Sequence, residues 1–180
     1  PHATPTPNVV YATHTNSYPM FCALFFLLVF ALFILWGWYL NKKSFKGYGD
    51  LLKSTGHTAD FFAEYGFPKV ILNIGFYGLV VLTYFLLVIT FTDGAGFTGP
   101  TVGVILAAMT FSSQGQHPAN VWPIFIGYVV LSLFVTIMCT ISGVEIPWTL
   151  STQGYLNGAA FATGLCPIVG RYGKRYGVIA

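Results

Sequence analysis

Residues 20–40 read MFCALFFLLVFALFILWGWYL and contain no charged side chain. As a helix, this stretch would extend about 32 Å, which matches a bilayer hydrocarbon core of roughly 30 Å. The residues before it contain no Lys or Arg, and the apolar run is too long for a secretory signal. We therefore expect residues 20–40 to stay in the mature protein as a membrane-spanning helix.

The composition of the whole chain extends this expectation. Of the 180 residues, 55% are hydrophobic and only 7% are charged, whereas a soluble domain carries about a quarter charged residues. So few charges cannot cover a water-exposed surface. The sequence predicts an all-α fold, a polytopic transmembrane helix bundle in the lipid bilayer. The net charge of +3 is small and the basic residues flank apolar segments, so a nucleic-acid partner is not expected.

The polar segments give the predicted topology. Residues 1–19 are rich in Pro, Thr and Asn and form a polar lead-in, and residues 41–66 form the largest polar loop. Because this loop has an excess of lysine, the positive-inside rule places it in the cytoplasm and the N-terminus outside the cell membrane. A second apolar run, Phe67 to Phe91, is long enough to return through the membrane and emerge at Asp93.

The next segment is too short for a full span. Pro100 to Phe111 would cover about 18 Å as a helix, and it follows the glycine-rich stretch Thr92 to Gly99. We expect a half-helix, or re-entrant helix, that ends in the polar turn Ser112 to Asn120. Val121 to Ile141 is then a full span, with Pro123 in its first turn, where a missing N–H does little harm.

A second interrupted helix is expected in Ser151 to Gly170, which has four glycines and Pro167. The basic cluster of Arg171, Lys174 and Arg175 follows, and it should be cytoplasmic. That placement requires that both interrupted segments span the membrane or that neither does. Because the sequence stops in an apolar run, we expect the transmembrane domain of residues 20–180 to continue in further C-terminal helices. The other partner that the sequence leaves open is a second copy of the same chain, in a homo-oligomer.

Glycines around the first short helix are candidates for a solute route. Irregular backbone at membrane depth needs protein or a water-filled cavity to satisfy its polar groups. In many transporters, Gly/Pro-interrupted segments mark the substrate site. Gly94, Gly96, Gly99 and Pro100 fit that pattern, with Pro100 at the start of the half-helix, and Thr101 next to it is a further route candidate. The alternative is that these glycines are close contacts between packed helices.

Polar side chains near the apolar segments are the other candidates. Gln114, His117 and Asn120 could line a polar vestibule, although His-Pro is more often turn chemistry. Asn73 and Asn157 could face a pore, although hydrogen bonds between helices are the commoner role. Glu145 would be a functional candidate at membrane depth, but the glycine and proline beside it favour an interfacial position.

Other classes of site have no support in the sequence. No His, Cys, Asp or Glu lies at metal-ligand spacing from His117, and the three cysteines lie in apolar stretches without CxxC spacing. Nucleophile-elbow, phosphate-loop and HExxH motifs are absent. We therefore expect no metal, no cofactor and no enzymatic activity.

Residues 56–127 carry a series of motifs in a characteristic order, namely Thr58-Ala59-Asp60, Asn73 with Gly75, Gly99-Pro100-Thr101-Val102-Gly103, and Gly115 to Pro123. They resemble the repeat of an uncharacterised family of polytopic bacterial membrane proteins, domain-of-unknown-function family 1576. Pro167 to Gly173 is similar to a later Pro-Ile-x-Gly segment, after which members continue with further helices. Members more often have Asn and Lys where this chain has Thr98 and Gln116.

The resemblance implies a fold and a membrane location, and the alternation of spans with short segments is similar in architecture to urea-transporter-like channels. We expect a transporter or channel subunit for a small solute, with residues 94–120 along the route. The rival is a non-transporting membrane scaffold, whose lysine loop binds a partner or anionic lipid. Polar groups that converge on one cavity would favour transport, whereas groups paired locally in a dry bundle would favour the scaffold.

Overall fold

A computed structural model describes residues 19–57, 60–92 and 95–180, and every regular element in these ranges is helical. The expected all-α class is confirmed. The elements in chain order are α1 (Pro19–Leu40), α2 (Tyr48–Leu51), α3 (Phe61–Tyr65), α4 (Phe67–Phe91), α5 (Gly99–Phe111), α6 (Pro118–Ser142), α7 (Gln153–Ala162), a 3₁₀ turn (Thr163–Leu165), α8 (Cys166–Tyr172) and α9 (Lys174–Ile179).

Three of the described helices, α1, α4 and α6, are long and apolar enough to cross a membrane. The first two have nearly the predicted bounds, but α6 begins at Pro118 and not at Val121. Its start is set by Pro118 at the first helical position and by the Asn120 carboxamide, which accepts the His117 backbone N–H at 2.9 Å. Pro123 is therefore the sixth residue of α6, and its expected place in the first turn is wrong.

Helices α1 and α4 pack against each other through glycines. A Cβ atom added at Gly75 would lie 2.8 Å from the Phe30 carbonyl oxygen and 2.9 Å from the Ile34 backbone nitrogen. Gly37 and Gly78 make similarly close contacts, with Leu72 and with the Phe30 ring. Small residues let helix backbones approach closely, which gives membrane helices van der Waals contact in the absence of a hydrophobic driving force.

The first interrupted segment has the expected short helix. Helix α5 has 13 residues, which corresponds to about 20 Å. It runs back along α4. This direction is seen from the Asn73 side chain, in the second turn of α4, which donates to the Ser112 carbonyl just after α5 at 2.8 Å. The chain thus returns to the end of the bundle that holds residues 41–57.

The second interrupted segment, α7 to α8, also runs toward that end. Tyr155 in the first turn of α7 donates to the Tyr128 carbonyl, in the middle of α6. Farther along, the Thr163 hydroxyl lies 2.9 Å from the Tyr77 hydroxyl, and Cys166 lies beside the Gly56 carbonyl. Both interrupted segments therefore finish at the same end of the bundle, next to the polar loop.

Three chain segments come into very close contact at this end. We call their meeting point the backbone junction (Thr55, Gly56, Gly115 and Gly170). A Cβ at Gly115 would lie 2.5 Å from the Gly56 carbonyl oxygen, and a Cβ at Gly170 would collide with the Thr55 carbonyl oxygen. Gly56 and Gly115 also have positive φ, at 73° and 111°, where side chains are disfavoured. Any larger residue would push the segments apart.

Charge divides the two ends of the bundle. All eight lysines and arginines lie at the end with the backbone junction, on the loop after α1, at the start of α4 and around α8 and α9. Glu145 lies at the other end, two residues beyond the Gly143 cap of α6, and is exposed.

Some expectations concern residues outside the described ranges. They are the structure of the polar lead-in up to residue 18, the emergence at Asp93, Gly94 among the route candidates, and Thr58 and Ala59 of the family motif.

Candidate functional site

The first polar site, which we call the loop cluster (Asn73, Ser112, Gln116, His117 and Asn120), lies beside the backbone junction and is buried. Asn73 is at its centre. Its Nδ2 donates to the carbonyl oxygens of Ser112 and Gln116, both at 2.8 Å, and its Oδ1 accepts the Tyr48 hydroxyl at 3.2 Å. One amide thus holds the turn between α5 and α6 against α4.

Asn120 closes the turn from the other side. Its Oδ1 accepts the His117 backbone N–H, and its Nδ2 donates to the Gly115 carbonyl at 3.0 Å. The Gln116 side chain accepts from the Tyr77 hydroxyl at 3.4 Å. Thr163, which shares a hydrogen bond with Tyr77, also donates to Ala160. The side chains of the loop cluster therefore bond mainly to backbone groups, and also to the Tyr48 and Tyr77 hydroxyls.

The His117 ring links the loop cluster to the lysine-rich loop. Nε2 lies 3.2 Å from the Ser54 carbonyl oxygen. Because a carbonyl can only accept, Nε2 carries the hydrogen, and Nδ1 has the lone pair. Nδ1 has no hydrogen-bond partner among the described residues. Burial lowers the pKa of His117 to about 4, and the hydrogen bond to Ser54 opposes that shift. The neutral imidazole is the form that fits this site.

This geometry predicts a pH dependence of stability. The folded pKa of about 4 lies below the ordinary value of about 6.5, so the unfolded chain binds the proton more readily. The stabilisation is complete above about pH 6.5 and is lost as the pH falls toward 4, by about 3 kcal/mol in all.

We expect His117→Gln, whose amide can still donate to Ser54, to remove most of this dependence in detergent unfolding titrations across that range. His57→Gln is the matched control, because His57 is exposed, and it should keep the dependence of the parent chain. If His117→Gln keeps the full pH dependence, the assignment to His117 is wrong.

The second polar site joins the two interrupted segments, and we call it the seam cluster (Gly96, Thr101, Gln153 and Asn157). The Gly96 N–H donates to Gln153 Oε1 at 2.9 Å, and Gln153 Nε2 donates to the Thr101 hydroxyl at 2.8 Å. The Thr101 hydroxyl lies 2.9 Å from Asn157 Oδ1. Thr101 is buried, whereas Gln153 and Asn157 are half-buried. Thr101 lies about 16 Å along α5 from the loop cluster, well inside the length of the bundle.

The start of α5 offers few free donors to a ligand. Thr98 is the N-cap residue, and its hydroxyl accepts the Thr101 backbone N–H at 3.3 Å. Pro100 has no N–H. Two of the first three helical positions are therefore unavailable, which leaves the side chains of the seam cluster as the main hydrogen-bonding groups.

Comparison with known proteins identifies the family of the chain. The model of a family described as a protein of unknown function, DUF1576, matches residues 40–179. The chain belongs to the DUF1576 family. The match starts sixteen residues before the motif region that begins at Gly56, so the resemblance seen in the sequence is confirmed over a longer range. Neither the curated proteins nor the solved structures contain a match to the chain.

The nine route candidates that lie in the described residues of this DUF1576 member fall into three groups. Asn73, His117 and Asn120 belong to the loop cluster, and Gly96, Thr101 and Asn157 belong to the seam cluster. Gly99, Pro100 and Gln114 are exposed and belong to neither. The candidates therefore do not converge on a single site.

Sequence reasoning missed several members of these networks in the DUF1576 chain. Gln153 could have been found, because it lies four residues before Asn157 and so on the same face of α7. Tyr48, Tyr77 and Thr163 gave no such signal, since nothing in the order of residues indicates that they meet across the bundle.

Proposed function

We propose that this chain is part of a transporter or channel in the cell membrane, and that the seam cluster lines the route of a small, neutral, polar solute. The observation that supports the proposal is the seam cluster itself. It places amide and hydroxyl groups from two interrupted segments side by side within an apolar bundle. Interrupted helices that meet in this way are typical of transporter substrate sites.

The chemistry of the seam cluster suggests the class of solute. Thr101, Gln153 and Asn157 provide both donors and acceptors but no ionisable group. A typical hydrogen bond contributes about 0.5–1.5 kcal/mol net, so a solute that offers equivalent partners could replace the present bonds at small cost. A charged solute would find no counter-charge among these side chains, which makes a neutral one the better match.

The loop cluster is better suited to holding the structure together. Its side chains are buried and bonded to backbone carbonyls, and a group so placed stabilises a fixed conformation. Asn73, His117 and Asn120 are therefore withdrawn from the proposed route and assigned a supporting role.

The orientation follows from the charge distribution. We propose a multi-pass protein with the backbone junction in the cytoplasm and the N-terminus outside, because lysine and arginine favour the cytoplasmic side and all eight of them lie at that end.

A second candidate function is a non-transporting membrane scaffold. It is favoured by the local pairing within the loop cluster and by the use of Gly37, Gly75 and Gly78 for helix contact. Under this alternative the seam cluster is also only a packing contact, of the kind that polar residues make between membrane helices.

Cysteine accessibility in membranes distinguishes the two functions. In a background with Cys22, Cys139 and Cys166 replaced, we expect Asn157→Cys to be modified by a small aqueous thiol reagent applied from one side. Ala160→Cys is the matched control on the same helix, because Ala160 is fully buried, and it should stay protected. Equal protection of both positions would contradict a wet route and favour the scaffold. Modification of Asn157→Cys would justify a solute-uptake screen in vesicles.

A further inference from the structure

A surface cavity of about 450 Å³ opens at the basic end of the bundle. It is lined by Thr55, His57, Pro167, Ile168, Arg171 and Tyr172. One side of the cavity is the lysine-rich loop that follows α1, and the other side is α8. The close contact of Gly170 with the Thr55 backbone fixes the two sides together. The cavity is separate from both polar clusters.

Arg171 is the cation of this cavity, and it is available to a ligand. It is exposed, and its guanidinium carbon lies 5.7 Å from the centre of the neighbouring Tyr172 ring. The one salt bridge among the described residues joins Lys53 to Asp50 at 3.5 Å, so Arg171 has no carboxylate partner there. A guanidinium binds phosphate oxygens in a bidentate manner.

The charge around the cavity favours an anion. Eight basic residues lie at this end against three acidic ones, Asp50, Asp60 and Glu64, which gives a net charge of +5. Asp50 is already paired with Lys53, and Asp60 accepts the Ala63 backbone N–H at the start of α3. The acids therefore do little to neutralise Arg171.

The other lining residues favour a lipid over a soluble anion. Pro167 and Ile168 give the cavity an apolar wall, and His57 can donate to an oxygen near Arg171. The Lys174 ammonium lies 5.3 Å from the centre of the Trp122 ring, and Tyr172 is exposed. Tryptophan, tyrosine and lysine in such a group are typical of the headgroup level of a bilayer.

We propose that this cavity binds an anionic phospholipid. Its phosphate lies on Arg171 and His57, and the start of an acyl chain lies against Pro167 and Ile168. The chain would thereby select anionic lipid at its basic end, and this selection does not depend on whether the seam cluster conducts a solute.

Native mass spectrometry of the full 180-residue chain tests the proposal, in micelles that contain phosphatidylglycerol or phosphatidylcholine of the same acyl composition. The parent chain should retain phosphatidylglycerol in preference to phosphatidylcholine. Arg171→Gln should weaken that binding by about tenfold or more, as expected for loss of a charge-assisted bond. The matched control is Arg175→Gln, which removes the same charge at the same end but outside the cavity lining, and it should weaken binding much less.

Two other outcomes would contradict the proposed lipid site. Equal losses in the two variants would mean that only diffuse charge attracts the lipid, and no loss in Arg171→Gln would mean that the lipid binds elsewhere. Inorganic phosphate added in large excess separates the two sources of phosphate. Displacement of the lipid by phosphate would point to a soluble anion as the ligand, whereas retention supports the phospholipid. Circular dichroism of both variants tests whether the helical fold is kept.

Discussion

Asn73→Leu is expected to destabilise the folded protein more than any other single polar substitution in the bundle. The change leaves the Ser112 and Gln116 carbonyls and the Tyr48 hydroxyl without their partner in a buried site. Each unsatisfied group costs about 1–3 kcal/mol, so the loss of a partner by all three should cost about 3–9 kcal/mol. Unfolding in mixed micelles by titration with a denaturing detergent, followed by tryptophan fluorescence, measures the change.

Thr90→Leu is the control for this result. Thr90 is on the same helix, is exposed, and has no side-chain hydrogen bond among the described residues. Its replacement should leave stability nearly unchanged. Similar behaviour of the two variants would show that Asn73 does not hold the turn between α5 and α6.

Gly75→Leu is expected to separate α1 from α4. Its Cβ would meet the Phe30 carbonyl oxygen and the Ile34 backbone nitrogen at less than 3 Å, and backbone atoms cannot move aside as a flexible side chain can. Overpacking usually costs about 1–3 kcal/mol, and contact with backbone places this case at about 3 kcal/mol or more. The measurement is the same detergent titration, together with cross-linking between cysteines placed on the two helices.

Gly103→Leu is the matched substitution, because Gly103 also lies within a helix but nothing outside its own helix and neighbours lies within 4 Å of an added Cβ. It should be tolerated, since a glycine within a helix is itself unfavourable by about 1 kcal/mol. If Gly75→Leu were tolerated as well, the close packing of α1 on α4 would be wrong.

The spans could be predicted from the sequence because their signal is local. Residues 20–40 and 67–91 are apolar runs whose length alone matches a bilayer, and both form helices. The break around Gly99 and Pro100 was likewise visible in composition. The start of α6 was misplaced by three residues because the polar turn was extended to Asn120. That residue belongs to the helix, and its side chain accepts the His117 backbone N–H at the helix start.

The polar networks were only partly predictable, because their partners are distant in the sequence. Asn73 bonds to a carbonyl 43 residues away, and Tyr77 meets a hydroxyl 86 residues away. A polar residue in an apolar run can be recognised as a candidate, but its partner depends on which helices pack together. For that reason His117 and Thr101, proposed for one route, belong to two separate sites.

The backbone junction also has a consequence for the order in which the molecule is completed. Gly56 is synthesised 59 residues before Gly115 and 114 residues before Gly170, its two partners in the junction. At about 5–20 residues per second, roughly 6–23 s pass between the synthesis of the first and the last of these glycines. The lysine-rich loop is thus made well before both of its partners in the junction, and it can reach its final shape only after Gly170 has been added.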